Sequence, residues 1–203
     1  MKKMIFTIGR QYGSGGRAIG KMLADKLDIP FYDRELLTEV AKDNPYSEQI
    51  LESFDEKPMK SFLYSIAMGA GGAIGNPAMP ISVQAYLAQF QTIKKLAEES
   101  ERGCVLIGRC SDYVLQDRDD VISVFIKADL DYRKEHAQEY EKEPLANIAD
   151  KIRKIDKNRA GYYEYYTEQK WGDAANYDIC LDSGLIGPEN CVKLICEFSE
   201  MMG

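Results

Sequence analysis

Residues 4–20 read MIFTIGRQYGSGGRAIG and decide the predicted fold. Met4 to Ile8 is a short apolar run typical of a strand buried on both faces. The glycine-rich turn 9–16 follows, and apolar residues then return at helical spacing. A strand that turns sharply into a helix exposes backbone N–H groups, and glycines let these groups close around phosphate oxygens. The stretch therefore predicts a phosphate-binding loop; the alternative is a tight turn that merely needs several glycines.

Outward from this stretch, strands alternate with helices to the end of the chain. Residues 28–32 return to an extended segment and complete a β-loop-α-β unit, the building block of parallel sheets. Apolar spacing predicts the remaining elements: helical residues 34–66, a helix at 82–97, strands at 104–107 and 121–126, a helix at 129–141, a long helix at 145–166 after Pro144, a strand at 177–181 and a C-terminal helix. The pattern predicts one α/β domain over residues 1–203, built around a central parallel sheet.

Residues 67–80 interrupt this alternation with glycine, alanine and proline. Such a stretch has little side chain to bury, so it predicts a mobile loop or flap. A linker between two domains is the alternative, but the flanking segments are too short to favour it.

Composition excludes several classes of protein. The chain has 203 residues, of which 45% are hydrophobic and 29% charged, as in ordinary globular domains. No apolar run reaches the roughly 18 residues of a membrane span, and the first apolar run ends at Gly9, too early for a signal peptide. The net charge of −7 disfavours nonspecific binding to nucleic acid, but local clusters of arginine can still bind a small anion.

Cysteine and histidine usage predicts no metal site. The five cysteines form no CxxC pair, and the only histidine, His136, is far from all of them in sequence. This pattern favours buried thiols in a reducing compartment, so we expect a cytoplasmic protein. We expect His136 itself to lie on a solvated helix face.

Several blocks of sequence resemble the cytidylate kinase-like family of P-loop proteins. They are TIGRQYGSGGR at residues 7–17, IPFYDREL at 29–36, LIGR at 106–109, VFI at 124–126, DKNRAGYY at 156–163, WGD at 171–173 and NYDICL at 176–181. The resemblance implies the three-layer α/β/α sandwich of P-loop NTPases and nucleoside monophosphate kinases. It places a helical acceptor-side insert at about 34–100 and a lid at about 130–172. It also implies ATP with Mg²⁺ as donor and a nucleoside monophosphate, typically CMP, as acceptor.

The phosphate-binding loop departs from the usual pattern. In G-x-x-x-x-G-K-[ST] the lysine spans the terminal phosphates and the hydroxyl holds magnesium. With Gly15 as the second motif glycine, the lysine and hydroxyl positions hold Gly16 and Arg17. The resemblance then implies these ATP-binding candidates: Arg10, Tyr12, Gly13, Ser14, Gly15, Gly16 and Arg17. Arg17 or Lys21 could replace the missing charge, and Ser14 the missing hydroxyl.

The resemblance also places an acceptor site at the ends of two strands. Asp33 and Arg34 follow the second strand, where the arginine could clamp a monophosphate; the alternative is a surface salt bridge or a helix cap at Asp33. Arg109 ends a buried strand at the sheet edge where ligands bind, with an ordinary ion pair as the alternative. Its block resembles the Gly-Arg-Asp motif of cytidylate kinases, although Cys110 replaces the aspartate and Asp112 stands two residues on.

The long helix yields a candidate from spacing alone. Arg159 lies four residues after Ile155 and seven after Ile152, on a stripe that is otherwise apolar. A charge there must be paired or must meet an anion. The resemblance supplies the anion, because lids of the family carry arginines that reach the transferring phosphates. By this resemblance the catalytic candidates are Arg17, Arg153 and Arg159, with Lys157 and Arg133 as further lid candidates. For Arg153 and Lys157 the alternative is a solvated helix face.

The remaining motifs suggest weaker roles. The cluster Tyr162, Tyr163, Tyr165 and Tyr166 could stack bases, but we expect it to pack a helix end, for example against Trp171. Asp182 and Ser183 are adenine-side candidates by resemblance. The predicted function is ATP-dependent phosphoryl transfer to a small acceptor, with a catalytically weak nucleotide-binding sensor, or a kinase for another small acceptor, as the alternatives.

Overall fold

The fold is described from a computed structural model of the chain. It describes residues 3–33, 35–43, 56, 81–139 and 146–202. Predictions for Arg34, for the flap 67–80, for most of the helical stretch 34–66 and for the start of the long helix at Pro144 lie outside the described residues.

The described strands form one parallel sheet. They are β1 (Ile5–Arg10), β2 (Phe31–Tyr32), β3 (Val105–Ile107), β4 (Val121–Lys127) and β5 (Ile179–Asp182), in the order β2-β3-β1-β4-β5. Phe6 of the central strand β1 pairs with Val105 on one side and with Ile122 on the other. The sequence order and the parallel pairing confirm the predicted central sheet.

Helices cover both faces of this sheet. They are α1 (Gly16–Leu27), α2 (Glu35–Asp43), α3 (Ile81–Glu99), α4 (Ser111–Val114), α5 (Leu130–Glu139), α6 (Ile148–Thr167), α7 (Ser183–Ile186) and α8 (Pro188–Met202). Alternate residues of β1 point to opposite faces. Phe6 therefore packs with Ile19 of α1 and Ile195 of α8, whereas Ile5 packs with Leu36 of α2 and Ile93 of α3. These two cores confirm the three-layer α/β/α sandwich.

Several element boundaries differ from the prediction, and two of these differences concern the sheet strands next to the glycine-rich loop and before α7. The first strand continues past Ile8 to Arg10, since Arg10 stays in register with Ile126 and the Gln11 amide donates to the Ile126 carbonyl at 3.0 Å. The last strand begins at Ile179 rather than Tyr177. The glycine-rich loop is thereby confined to residues 11–15.

Candidate active site

The carboxyl ends of β1 and β3 open onto one cleft, at the sheet edge where ligands of parallel sheets bind. The lining residues come from five separate parts of the chain: Gly9, Arg10, Glu56, Gly108, Arg109, Cys110, Asp112, Arg159, Tyr162, Tyr163, Trp171 and Tyr177. Three of the predicted site residues, Arg10, Arg109 and Arg159, meet here.

The glycine-rich loop and the first residue of α1 are closely packed against neighbouring backbone and side-chain atoms. Gly13 has φ +77°, and a Cβ there would lie 2.5 Å from the carbonyl oxygen of Arg133 on α5. A Cβ on Gly16 would lie 2.5 Å from the Cβ of Arg10. Position 16, where the usual motif has lysine, therefore has no room for a side chain. The packing of the loop against Arg10 is therefore incompatible with a lysine at position 16.

The polar groups of the loop are engaged within the protein. The Tyr12 amide donates to Asp156 Oδ1 at 2.8 Å, so an internal carboxylate takes the kind of position predicted for a phosphate oxygen. The Ser14 hydroxyl donates to the Gln11 carbonyl at 2.8 Å, and the Ser14 carbonyl accepts from Ser183 Oγ at 2.6 Å. Ser14 is fully buried. Its hydroxyl thus bonds two residues of the loop to each other, and Ser183, the first residue of α7, joins that helix to the loop.

Arg10 and Arg159 share one carboxylate, that of Glu56. Arg10 Nη1 lies 2.6 Å from Glu56 Oε1, and Arg159 Nε lies 2.9 Å from Glu56 Oε2. The three side chains are only 11–17% exposed. The buried charge of Arg159 is therefore paired, as its place on an apolar stripe requires. Glu56 belongs to a stretch in which sequence reasoning found no candidate.

Charge and burial compete within this cluster. Burial opposes the charge of Glu56, but the guanidinium groups of Arg10 and Arg159 outweigh it and hold the pKa of Glu56 below its usual range. Burial lowers the pKa of Arg10, and repulsion from Arg159 adds to this shift. Two guanidinium groups thus converge on one buried carboxylate, which is an electrostatic environment that favours an anion.

A left-handed turn presents Arg109 to the cleft. Gly108, Arg109 and Cys110 have φ values of 66°, 56° and 55°. This conformation costs roughly 1–2 kcal/mol for each non-glycine residue, and such strain is concentrated at functional sites. The Arg109 side chain is 2% exposed, and its Nη1 lies 3.6 Å from Asp33 Oδ1. The structure thus joins these two acceptor-site candidates.

Arg17 approaches the same carboxylate from outside the cleft. Its Nε lies 2.6 Å from Asp33 Oδ2, its side chain is 59% exposed, and its guanidinium covers the Phe31 ring. Asp33 therefore links Arg17 to Arg109, and its carboxylate is engaged in an ion pair.

Aromatic side chains and one carboxylate form another wall. Tyr163 Oη donates to Asp112 Oδ2 at 2.6 Å, and Phe125 contacts the rings of Trp171 and Tyr177 edge-on and tilted. Burial raises the pKa of Asp112, although the hydrogen bond from Tyr163 opposes this rise. The tyrosines pack one another, and Trp171 joins their cluster, which agrees with the expected packing role.

The lid candidates divide between the cleft and the solvent. Arg153 is 65% exposed and pairs with Asp150 at 2.8 Å, and Lys157 is exposed, so neither is brought to the cleft. Arg133 instead lies against the loop, with Nη1 2.5 Å from Asp156 Oδ2. Asp182 caps α7 and pairs with Lys127.

Two sequence-based expectations about exposure are wrong. His136 is not on a solvated face: it is half-buried, and a Cβ on Gly15 would lie 3.2 Å from its Nε2. α5 packs against the loop, which turns this residue inward. Cys180 is exposed on β5, whereas Cys104, Cys110, Cys191 and Cys196 are buried.

The side chains available as metal ligands determine how Mg²⁺ could be bound. Among the described residues, no group of three or more His, Cys, Asp or Glu side chains could hold a metal ion. Mg²⁺ commonly binds through one or two carboxylates, with waters and substrate phosphates completing its shell. None of the helices described is both long and apolar enough to span a bilayer.

Parallel sheet, glycine-rich loop and arginine-lined cleft together define a P-loop kinase type of protein. The model of the cytidylate kinase-like family matches residues 5–185, and the chain belongs to this family. Members of this class are phosphotransferases that act on small acceptors. No curated protein sequence matches the chain.

Solved structures agree with the fold. An uncharacterized protein from Eubacterium ventriosum is 30% identical with a TM-score of 0.73, over 98% of this chain and 99% of that one. Shikimate kinase from Bacteroides thetaiotaomicron is 13% identical with a TM-score of 0.53, over 97% and 98%. Shikimate kinase from Aquifex aeolicus is 20% identical with a TM-score of 0.50, over 98% and 96%. At these identities the two kinases show a shared fold.

Proposed function

We propose that this protein transfers the γ-phosphoryl group of ATP to a nucleoside monophosphate such as CMP. The convergence of Arg10, Arg109 and Arg159 on one cleft beside the glycine-rich loop carries the proposal. Such a cluster stabilises the charge of an anionic acceptor and of the transferring group. Family membership supports ATP, accompanied by Mg²⁺, as the donor.

The chain's own residues then take distinct roles. The loop of residues 10–17 binds the oligophosphate of ATP. Arg109, oriented by Asp33, binds the acceptor phosphate, and Arg34 is proposed beside it. Arg159 stabilises charge during transfer, because phosphoryl transfer depends mainly on positioning and electrostatics. The acceptor oxygen is already anionic, so no general base is required.

The aromatic wall supports a nucleotide as acceptor. Tyr163, Trp171 and Tyr177 offer ring faces and edges, and Asp112 offers a hydrogen-bond acceptor for an amino group. Arg153 and Lys157 belong to this proposal only as contacts of a closed lid, since both are exposed on α6.

A second candidate function is nucleotide binding without turnover. The packing of Gly16 against Arg10 favours it, because no lysine can stand at that position. The pairing of Glu56 with Arg10 and Arg159 favours it too, because an internal carboxylate already offsets part of the charge of the two arginines. A kinase for another small acceptor is the third alternative.

The test is ADP release with ATP, Mg²⁺ and each common nucleoside monophosphate. We expect turnover with at least one acceptor and a loss of about 100-fold or more in kcat for R159Q, since one preorganised electrostatic contact contributes about 3–4 kcal/mol. K154Q, an exposed change on the same helix, is the control and should keep wild-type kcat. Nucleotide binding with no turnover on any acceptor would replace this function with the second candidate.

A further inference from the structure

A carboxylate and a guanidinium meet at the backbone of the glycine-rich loop. Asp156 Oδ1 accepts from the Tyr12 amide at 2.8 Å, and Asp156 Oδ2 lies 2.5 Å from Arg133 Nη1. Arg133 Nη1 also lies 3.4 Å from the Tyr12 carbonyl. The Arg133 and Asp156 side chains are 11% and 17% exposed. The loop thus holds an internal anion at its amide and a cation beside that anion.

One donor of this cation lacks an acceptor. Arg133 Nε is buried and has no hydrogen-bond partner in the part of the chain that the structure describes. An unsatisfied buried donor, above all a charged one, is costly and therefore needs an explanation. A phosphate oxygen between the loop and α5 would satisfy it, because a guanidinium offers its N–H groups to phosphate in pairs.

The cations near the start of α1 are already engaged in ion pairs. Gly16 has no room for a side chain, and Arg10 is paired with Glu56. Arg17 pairs with Asp33, and the exposed Lys21 pairs with Asp25. Arg133 belongs to the helix that packs directly on the loop, where its carbonyl oxygen would lie 2.5 Å from a Cβ on Gly13. Among these cations, Arg133 combines contact with the loop backbone and a donor without an acceptor.

We propose that Arg133 supplies the positive charge that the absent loop lysine would give to an oligophosphate. Without ligand, the Asp156 carboxylate occupies the position that a phosphate of the ligand would take, between the Tyr12 amide and Arg133. The ligand's phosphate would displace the Asp156 carboxylate from the Tyr12 amide and from Arg133. The inference rests on the proposed function only in taking a nucleotide oligophosphate as the ligand. It predicts opposite effects for the two partners: removing the guanidinium weakens binding, and removing the competing carboxylate strengthens it.

The experiment measures calorimetric binding of ATP, and separately of inorganic tripolyphosphate, with no acceptor present. We expect R133Q to raise the Kd for both ligands by about tenfold or more, since a hydrogen bond to a charged group has this value. We expect D156N to lower both Kd values, because the asparagine can still accept from the Tyr12 amide but no longer competes as a charge. K134Q, at a partly exposed position on α5, and D150N, at an exposed position on α6, are the matched controls and should bind like the wild type.

R133Q leaves the buried Asp156 carboxylate unpaired, so a double variant guards against misfolding. In R133Q/D156N two amides replace the ion pair and can bond each other. We expect it to unfold at a temperature close to that of D156N and to bind as weakly as R133Q. Wild-type affinity in R133Q or in the double variant would overturn the proposal, and so would a D156N protein that binds no more tightly than the wild type.

The outcomes separate this inference from the proposed function. If the variants behave as expected while no acceptor is phosphorylated, the binding role of Arg133 stands and the kinase proposal fails. If CMP is phosphorylated while R133Q binds ATP normally, the kinase proposal stands and the role of Arg133 fails. If the wild type binds neither ligand, both fail.

Discussion

At the residue scale, the cleft contains two carboxylates with opposite electrostatic environments. Glu56 lies between two guanidinium groups, which hold its pKa below the usual range despite burial. Among the residues described, the donors to Asp112 are the Tyr163 hydroxyl and nearby backbone groups, and burial raises the pKa of Asp112. The cleft therefore contains one buried acid in an ion pair and one hydrogen-bonded to a tyrosine. A rise in pH should change their contributions to the free energy of unfolding in opposite directions.

For Glu56 we predict stabilisation that acid removes. A depressed folded-state pKa adds stability above the unfolded pKa, and this stability is lost as pH falls toward the folded value. E56Q should therefore lower the free energy of unfolding by about 3 kcal/mol at pH 7, since Arg10 and Arg159 would then lack their shared anion. The difference from wild type should shrink at pH 3. Urea unfolding at both pH values measures it, with the exposed change E164Q as control.

An E56Q protein as stable as the wild type at pH 7 would show that Glu56 does not neutralise the two arginines. A difference that stays constant down to pH 3 would contradict the assigned pKa direction. Either result would remove Glu56 as the internal anion of the cluster.

At the element scale, two short contacts fix the shape of the cleft. The left-handed turn after β3 leads into α4, which carries Asp112, and α6 meets it through Tyr163. α5 meets the loop through Gly13 and Gly15, each of which has a positive φ and close neighbours on that helix. Because these contacts join elements distant in sequence, helix packing rather than local propensity sets the cleft.

For the contact between α4 and α6 we predict a pH effect on stability that is opposite in sign to the effect predicted for Glu56. Asp112 has a raised folded pKa, so its burial costs nothing below the unfolded pKa and costs progressively more as pH rises above it. D112N removes this cost but can still accept from Tyr163. The free energy of unfolding of the wild type, relative to D112N, should therefore fall between pH 3.5 and pH 7. Unfolding curves of both proteins at these pH values, with the exposed D119N as control, check the sign; a relative stability that rises would contradict it.

At the scale of the whole molecule, the core and the cleft are separable. The core between the sheet, α1 and α8 includes Ile195, which is fully buried and does not line the cleft. The cleft draws on the end of β1, on Glu56, on the turn after β3 with α4, on α6 and on the segment that carries Trp171 and Tyr177. Stability therefore depends on layers that do not contact the ligand directly.

We predict that I195A lowers stability without changing the site. Truncation of a buried isoleucine costs about 2–5 kcal/mol, because it loses apolar burial and leaves a cavity. At a temperature where the variant stays folded, its Kd for ATP should equal that of the wild type. Urea unfolding and calorimetry measure the two effects. L194A, a half-exposed neighbour on the same helix, should cost much less stability. A large change in Kd for I195A would show that core and cleft are coupled.

The layered architecture could be predicted closely, and the site only in part. The apolar runs, the glycine-rich turn and the helical stripes predicted the sheet and its flanking helices. The family resemblance implied site roles for Arg10, Arg109 and Arg159, and the structure brings these side chains to one cleft. Neither the pairing of Glu56 with Arg10 and Arg159 nor the contacts of Asp156 with Tyr12 and Arg133 could be predicted, because the partners are far apart in sequence. The inward position of His136 escaped prediction for the same reason, since it depends on how α5 packs.

The sequence by itself determined the order and kind of the elements, because strand alternation, helical periodicity and glycine turns are encoded within a few neighbouring residues. Only the tertiary structure decided which charges meet. The Arg10 and Glu56 pair spans 46 positions, the Arg159 and Glu56 pair 103, and the Tyr12 and Asp156 contact 144. An ion pair needs only two complementary groups at contact distance, so no pattern along the chain announces it before the layers are packed.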